Sequence, residues 1–353
     1  MIRRKKIFSV FTFLFLLTLV FGVEQPAHSK KKKPKENNAP RANNSLAVEN
    51  YQKGREAYLV FTPKGFQDAI EYYSRAIQAD PRFAPAYAGL GEVYSFMGYY
   101  KLEAREDYEE YYNNSYKNMI KALELDGNGK ECQRALALSY LHLRRLKEAE
   151  TAAKRVLEQD PNDAESYYII WAATGQDPES PYIKKALELN PNLVVAHIGL
   201  AKAYFFKKGN YRKATEHYKK AVELADSPQL HNYLGTSLRT EGYLGQAMSE
   251  YQKAIELDPN YAPAYMNLGI TLFYLDRFEE SIAKQKKAIS LNPNYPDAYY
   301  YLARAYEKTN NPQEAIKNYK TFISLVSNQE NYSDYIASAR ESLVKLAGNK
   351  QQW

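Results

Sequence analysis

The sequence predicts an all-α chain, an α-solenoid of about eight stacked helix pairs closed by a C-terminal capping helix. A period, a helix-ending signal and an apolar stripe carry that expectation. Segments finishing in an acidic or amide residue and proline recur as Ala76-Ile-Gln-Ala-Asp-Pro81, Val156-Leu-Glu-Gln-Asp-Pro161, Ala186-Leu-Glu-Leu-Asn-Pro191, Ala254-Ile-Glu-Leu-Asp-Pro259 and Ala288-Ile-Ser-Leu-Asn-Pro293. With the variants ending at Gly127 and Asp226, the intervals between ends are 46, 34, 30, 35, 33 and 34 residues. Proline cannot continue a helix and drives the residue before it out of the α region. Upstream of each end, apolar residues at i, i+3, i+4 and i+7 share one helical face, as Tyr265, Leu268, Gly269 and Leu272 do.

Before the repeats, Arg3-Arg-Lys-Lys6 precedes an apolar run over residues 7–23, followed by Ala27-His-Ser29. A basic start, an apolar stretch and small residues read as a secretory signal over residues 1–29, cleaved after Ser29. Left uncleaved, the run is a membrane tether through residues 7–23. Either reading implies an exported chain, periplasmic or associated with the cell envelope. No cysteine follows the run, which excludes a bacterial lipoprotein. Residues 30–46, rich in Lys, Asn, Pro and Ala, read as a basic disordered linker.

Eight units follow, over about residues 47–81, 84–127, 130–161, 164–191, 194–226, 228–259, 262–293 and 296–327. Their first halves carry Tyr87-x-x-Leu90-Gly91-x-x-Tyr94, His231-x-x-Leu234-Gly235-x-x-Leu238, Tyr265-x-x-Leu268-Gly269-x-x-Leu272 and Tyr299-x-x-Leu302-Ala303-x-x-Tyr306. Their second halves carry Ala247, Tyr251 and Ala254, or Ala315, Tyr319 and Phe322, on one stripe. These motifs resemble the tetratricopeptide repeat, over roughly four-fifths of the chain. The resemblance implies a right-handed superhelix with a concave groove.

Three units depart from 34 residues. The first has about three extra around Phe61-Thr-Pro-Lys-Gly65, and the fourth is about four short near residues 175–181, so its helices are expected to be truncated. The second has 12 extra, and its Lys101–Leu125 stretch holds no Gly or Pro. That predicts one long second helix projecting about 18 Å further, as a solvated spur or a docking element. Beyond the eighth unit, within 328–353, Tyr332–Leu346 is expected to cap the stack with Tyr335, Ile336, Ala339, Leu343 and Leu346 on one face.

Composition excludes several functions. Ten of the 48 Lys and Arg lie in residues 1–41 against two of the 41 acids, leaving the rest at 38 against 39, net −1. A basic nucleic-acid-binding body is not supported. Single Cys132 excludes a disulfide framework and reads as a small buried thiol. The histidines, His28, His142, His197, His217 and His231, form no His-Glu-x-x-His run, and there is no phosphate loop. No catalytic residues, metal ligands or cofactor are therefore expected, and about 26 residues after the last unit are too few for an appended catalytic domain.

The expectation is binding, to a protein or peptide of the cell envelope. The resemblance assigns to the groove a second stripe on the first helices: Arg134, Leu138 and His142; Ile198, Lys202, Phe205 and Phe206; Asn232, Thr236 and Arg239; Met266, Ile270, Phe273 and Tyr274; Tyr300, Arg304 and Lys308. Part of this stripe can pack against the next unit instead. No unit reproduces the Lys/Asn/Arg clamp with which co-chaperones of this family hold a C-terminal carboxylate. The 33 tyrosines leave open a carbohydrate or cell-wall ligand, since aromatic faces stack on sugars, and open end repeats leave self-association open.

Overall fold

The computed structural model describes residues 44–348, which belong to a compact unit spanning Ala42–Trp353. The run at 7–23, residues 30–43 and the tail from 349 lie outside the described residues. Eight helix hairpins follow one another: α1 (Asn44–Leu59) with α2 (Pro63–Ala79), α3 (Ala84–Glu103) with α4 (Glu109–Asp126), α5 (Lys130–His142) with α6 (Leu146–Gln159), and α7 (Ala164–Ala173) with α8 (Pro181–Leu189). Then come α9 (Val194–Phe206) with α10 (Tyr211–Leu224), α11 (Pro228–Thr240) with α12 (Leu244–Leu257), α13 (Ala262–Tyr274) with α14 (Phe278–Leu291), and α15 (Pro296–Lys308) with α16 (Pro312–Val326). A short 3-10 turn, Glu330–Tyr332, leads to the cap, α17 (Ser333–Gly348). The first helix starts at Asn44, inside the stretch expected to be linker.

The Asp/Asn–Pro signal works through two groups of one residue. Asp80, Asp160, Asn190, Asp258 and Asn292 all leave the helix in extended backbone, the conformation a following proline imposes. Their backbone N–H groups still cap the helix four residues back. Their Oδ1 atoms accept from the N–H two residues on, at 2.9–3.1 Å, bending the chain into the next unit.

The turn inside each hairpin has its own signature. All eight hold a residue with positive φ: Phe61, Arg105, Arg144, Gly175 with Gln176, Gly209, Gly242, Asp276 and Asn310. In six of them the next N–H bonds the carbonyl five residues back, for example Tyr243 to Leu238 at 2.9 Å and Glu106 to Lys101 at 2.8 Å. This is the left-handed ending that satisfies a helix's last carbonyls.

The second unit corrects the expectation of one long second helix. Five first helices (α5, α9, α11, α13 and α15) have 13 residues, while α3 has 20. Counting from the helix start, Gly98 stands where Arg144, Gly242, Asp276 and Asn310 turn their chains, yet α3 runs through it and turns at Arg105. Gly98 serves a close approach instead, since a Cβ there would lie 3.0 Å from the Tyr112 ring of α4. The added seven residues make about two helical turns, so the buried stripe stays in phase. The fourth unit is truncated as expected, with 10 residues in α7 and 9 in α8.

The core runs through the stack as expected. Ala247, Tyr251 and Ala254, like Ala315, Tyr319 and Phe322, are buried, as are Leu234, Leu268 and Leu302 of the first-helix motif. Cys132 is buried too, and burial pushes its thiol up to about 12. On α17, Ala339 is buried and Ile336, Leu343 and Leu346 pack on the last pair, which caps the solenoid.

Candidate partner-binding face

The first helices face one another across the inside of the solenoid, and the end of α3 lies among them. Glu103 accepts from Lys202 Nζ of α9 at 2.7 Å, from Tyr99 Oη at 2.5 Å and from Tyr233 Oη of α11. The next residue's carbonyl, that of Ala104, accepts from Tyr295 Oη at 2.5 Å and from Asn292 Nδ2 at 3.2 Å. Arg105 donates to Tyr332 Oη at 3.2 Å. The insertion is therefore neither a solvated spur nor a docking element in the second helix. Seven of its 12 residues form the tip of a first helix, turned inward across units five to eight, and α4, with 18 residues against 14 in α6, α10, α12 and α14, takes four more. Burial alone would raise the Glu103 carboxyl, but Lys202 and the two tyrosine hydroxyls outweigh it and hold it below the usual carboxylate range.

A second internal contact joins units one to four. Arg55 pairs with Glu92 at 2.6 Å and with Glu165, and Arg134 pairs with Glu92 at 3.2 Å and Asp163 at 3.0 Å. Glu92 is almost fully buried, and burial raises its carboxyl despite both arginines. Arg134, assigned to the groove from its stripe, thus sits in a buried ion network. Neither Glu92 nor Glu103 was identified from sequence. Their partners are too distant along the chain to mark them, although the aromatic spacing Phe96, Tyr99, Tyr100 signals that the α3 face continues beyond Gly98.

The other groove residues divide into three groups. Phe273, Tyr300 and Asn232 are buried, as are Leu138, Ile198 and Ile270. Asn232 Oδ1 accepts from Asn267 Nδ2 at 2.8 Å, and Tyr300 Oη donates to Ser338 Oγ on the cap at 3.1 Å. Lys202 is engaged by Glu103 and lies 4.7 Å over the Tyr233 ring. His142 is held by Ser95 Oγ at 2.8 Å and stacks on Tyr99, and burial lowers its pKa to about 3. Phe205 is half-buried against Tyr211, its ring 5.0 Å away. Open or half-open positions remain at Phe206, Arg239, Met266, Tyr274 and Arg304. Arg304 lies 4.5 Å over Phe273, and Tyr274 Oη is 2.9 Å from Tyr301 Oη. Neither Arg239 nor Arg304 has an ion-pair partner among the described residues.

The tip of α3 separates two cavities. One, of about 260 Å³, lies between α3 and the first helices of units three to five, with His142, Lys202 and Phe206 in its lining. The other, of about 340 Å³, lies between Glu103–Arg105 and units six to eight, with Asn232 and Met266 in its lining. Among the described residues no cluster of three His, Cys, Asp or Glu could hold a metal, and no helix is long and apolar enough to cross a membrane.

Five models described as tetratricopeptide repeat or TPR repeat match residues 118–169, 195–228, 235–276, 262–295 and 285–317. The chain is 27% identical over 207 residues to the protein O-mannosyl-transferase TMTC1 of Homo sapiens, covering 57% of this chain and 18% of that one. It is 23% identical over 245 residues to Hsp70-Hsp90 organizing protein 3 of Arabidopsis thaliana, covering 65% and 40%. The crystal structure of the APC/C hetero-tetramer Cut9–Hcn1 matches with a TM-score of 0.63 at 17% identity, over 86% of this chain and 57% of that one. The chain spans less than two thirds of the length of each, and the last likeness is one of fold.

Proposed function

The chain is a tetratricopeptide repeat protein, and we propose that it is a non-catalytic scaffold of the bacterial cell envelope, holding a segment of a protein partner on its inner face. Repeats of this kind form protein-binding scaffolds, and one relative is by name an organizing protein for Hsp70 and Hsp90. The observation that carries the reading is the set of inner-face side chains that stay open or half-open to solvent. Arg239 and Arg304 have no carboxylate partner among the described residues, and Tyr274 is half exposed. Arginine with adjacent aromatics is the composition of interface anchors. A role in assembling envelope or secretion complexes follows from that scaffold reading together with the basic and apolar start of the chain.

Affinity capture from crosslinked envelope fractions tests this reading. The wild-type chain retains a protein partner, and Arg239→Glu combined with Tyr274→Ala loses it while helicity is unchanged. Equal capture by both chains removes the inner-face assignment. N-terminal sequencing of the exported chain tests localisation, with Lys30 as the expected first residue. Part of the tyrosine surplus that motivates a glycan ligand goes into packing, as at Tyr73, Tyr251, Tyr295 and Tyr319, all buried.

A further inference from the structure

The cavity between α3 and α7 has the features of an anchor subsite, an inference that rests on the partner-binding reading above. Its walls are aromatic: Phe96, Tyr99 and Tyr100 from α3, and Tyr168 and Trp171 from α7, with Ile198 of α9 completing them. At about 260 Å³ it falls below the roughly 300–1,000 Å³ of cofactor sites, which suits a single bulky side chain.

Charge narrows the occupant further. The lining contains Arg144, Lys202 and Lys207 and no carboxylate. Lys202 is neutralised by Glu103 at 2.7 Å. Lys207 donates to the Gly175 carbonyl, an uncharged acceptor, at 2.7 Å. Arg144, exposed on the left-handed turn after α5, has no ion-pair partner among the described residues. Burial keeps His142 neutral, so the interior itself carries no positive charge. A neutral aromatic group would use the walls alone, whereas one beside a carboxylate would use walls and rim together.

We propose that this cavity receives a bulky apolar side chain of the partner segment whose neighbouring residue is acidic, with Arg144 and Lys207 meeting that carboxylate at the rim. The chain's own residues 30–35 hold five lysines, the same sign as the rim, and do not supply that carboxylate.

The probes are N-acetyl-phenylalanine, its amide and N-acetyl-alanine, titrated into the full chain carrying Trp353→Phe so that Trp171 is the reporting indole. N-acetyl-phenylalanine is expected to shift Trp171 emission at a concentration about fivefold lower than its amide, the order of one exposed ion pair. N-acetyl-alanine is expected to leave it unmoved. Arg144→Gln should bring acid and amide to about equal affinity, with circular dichroism unchanged. Equal binding of acid and amide by the parent chain, an acid preference that survives Arg144→Gln, or silence with both phenylalanine probes overturns the subsite. Partner capture is scored on the same variant. Failed probes with capture still dependent on Arg239 and Tyr274 leave the partner-binding reading standing without the anchor. Capture indifferent to every variant removes both.

Discussion

The longest and shortest first helices of the solenoid, α3 with 20 residues and α7 with 10, line one cavity from opposite sides. Both depart from the 13 residues of α5 by close to whole turns, seven more and three fewer. A change of that size leaves the buried stripe facing its partner helix and moves only the helix end. The added turns of α3 carry Tyr99, Tyr100 and Glu103 into the inner face. The lost turn of α7 brings its chain reversal, with Gln176, to the cavity rim. Length variation in a repeat thus alters the inside of the solenoid while its core is conserved in register.

The ion network joining these two helices gives the largest way to break the comparison. Glu92→Gln leaves Arg55 and Arg134 short of a buried counter-charge and is expected to destabilise the first four units by about 3–5 kcal/mol. Urea unfolding followed by Trp171 emission reads it, and a loss under about 1 kcal/mol would show that Asp163 and Glu165 suffice. Next, Glu103→Ala strips the tip of α3 of its contacts with Lys202 and Tyr233. It should cost about 2 kcal/mol and speed amide exchange in α9 and α11 while leaving α7 unchanged.

His142, packed on Tyr99 in the added part of α3, sets an acid limb. In the folded chain it stays neutral down to about pH 3, whereas an unfolded histidine protonates near pH 6.5. Between those values the unfolded chain binds the extra proton, so stability is full above 6.5 and declines as pH falls. The slope from this group is about 1.4 kcal/mol per pH unit. His142→Gln flattens that limb in melting temperature against pH, and an unchanged limb would assign it to other groups.

The smallest contrast sharpens where the second unit turns. Gly242, at φ 90°, has the left-handed backbone that a Cβ opposes, so Gly242→Ala should cost about 1–2 kcal/mol. Gly98 is helical, and Gly98→Ala sets better helix propensity against the Tyr112 ring 3.0 Å away. The expected net change is within about 1 kcal/mol. A larger loss at Gly98 than at Gly242 would contradict the turn at Arg105.

Much of this fold is legible in the sequence, because the signals that define a unit act over a few residues. Asp258 before Pro259 ends α12 through its own backbone and side chain, and Tyr251 lies on the core stripe that its spacing predicts. The candidate face is less legible. Phe273 and Tyr274 are adjacent in sequence, yet one is buried by the next unit and the other is half exposed. Arg105 offers no residue-type signal for a left-handed turn, while Gly98, seven residues earlier, offers a false one.

The sequence by itself determined the helix pairs, their period, the truncation of the fourth unit and the cap, since backbone restriction and apolar periodicity are local properties. Tertiary structure decided where α3 ends and which inner-face side chains stay open. Those outcomes depend on Glu103 meeting Lys202 and on Ala104 meeting Asn292 and Tyr295. Such contacts join residues roughly a hundred or more positions apart, and they exist because the stacked units curve back on themselves and bring distant first helices together.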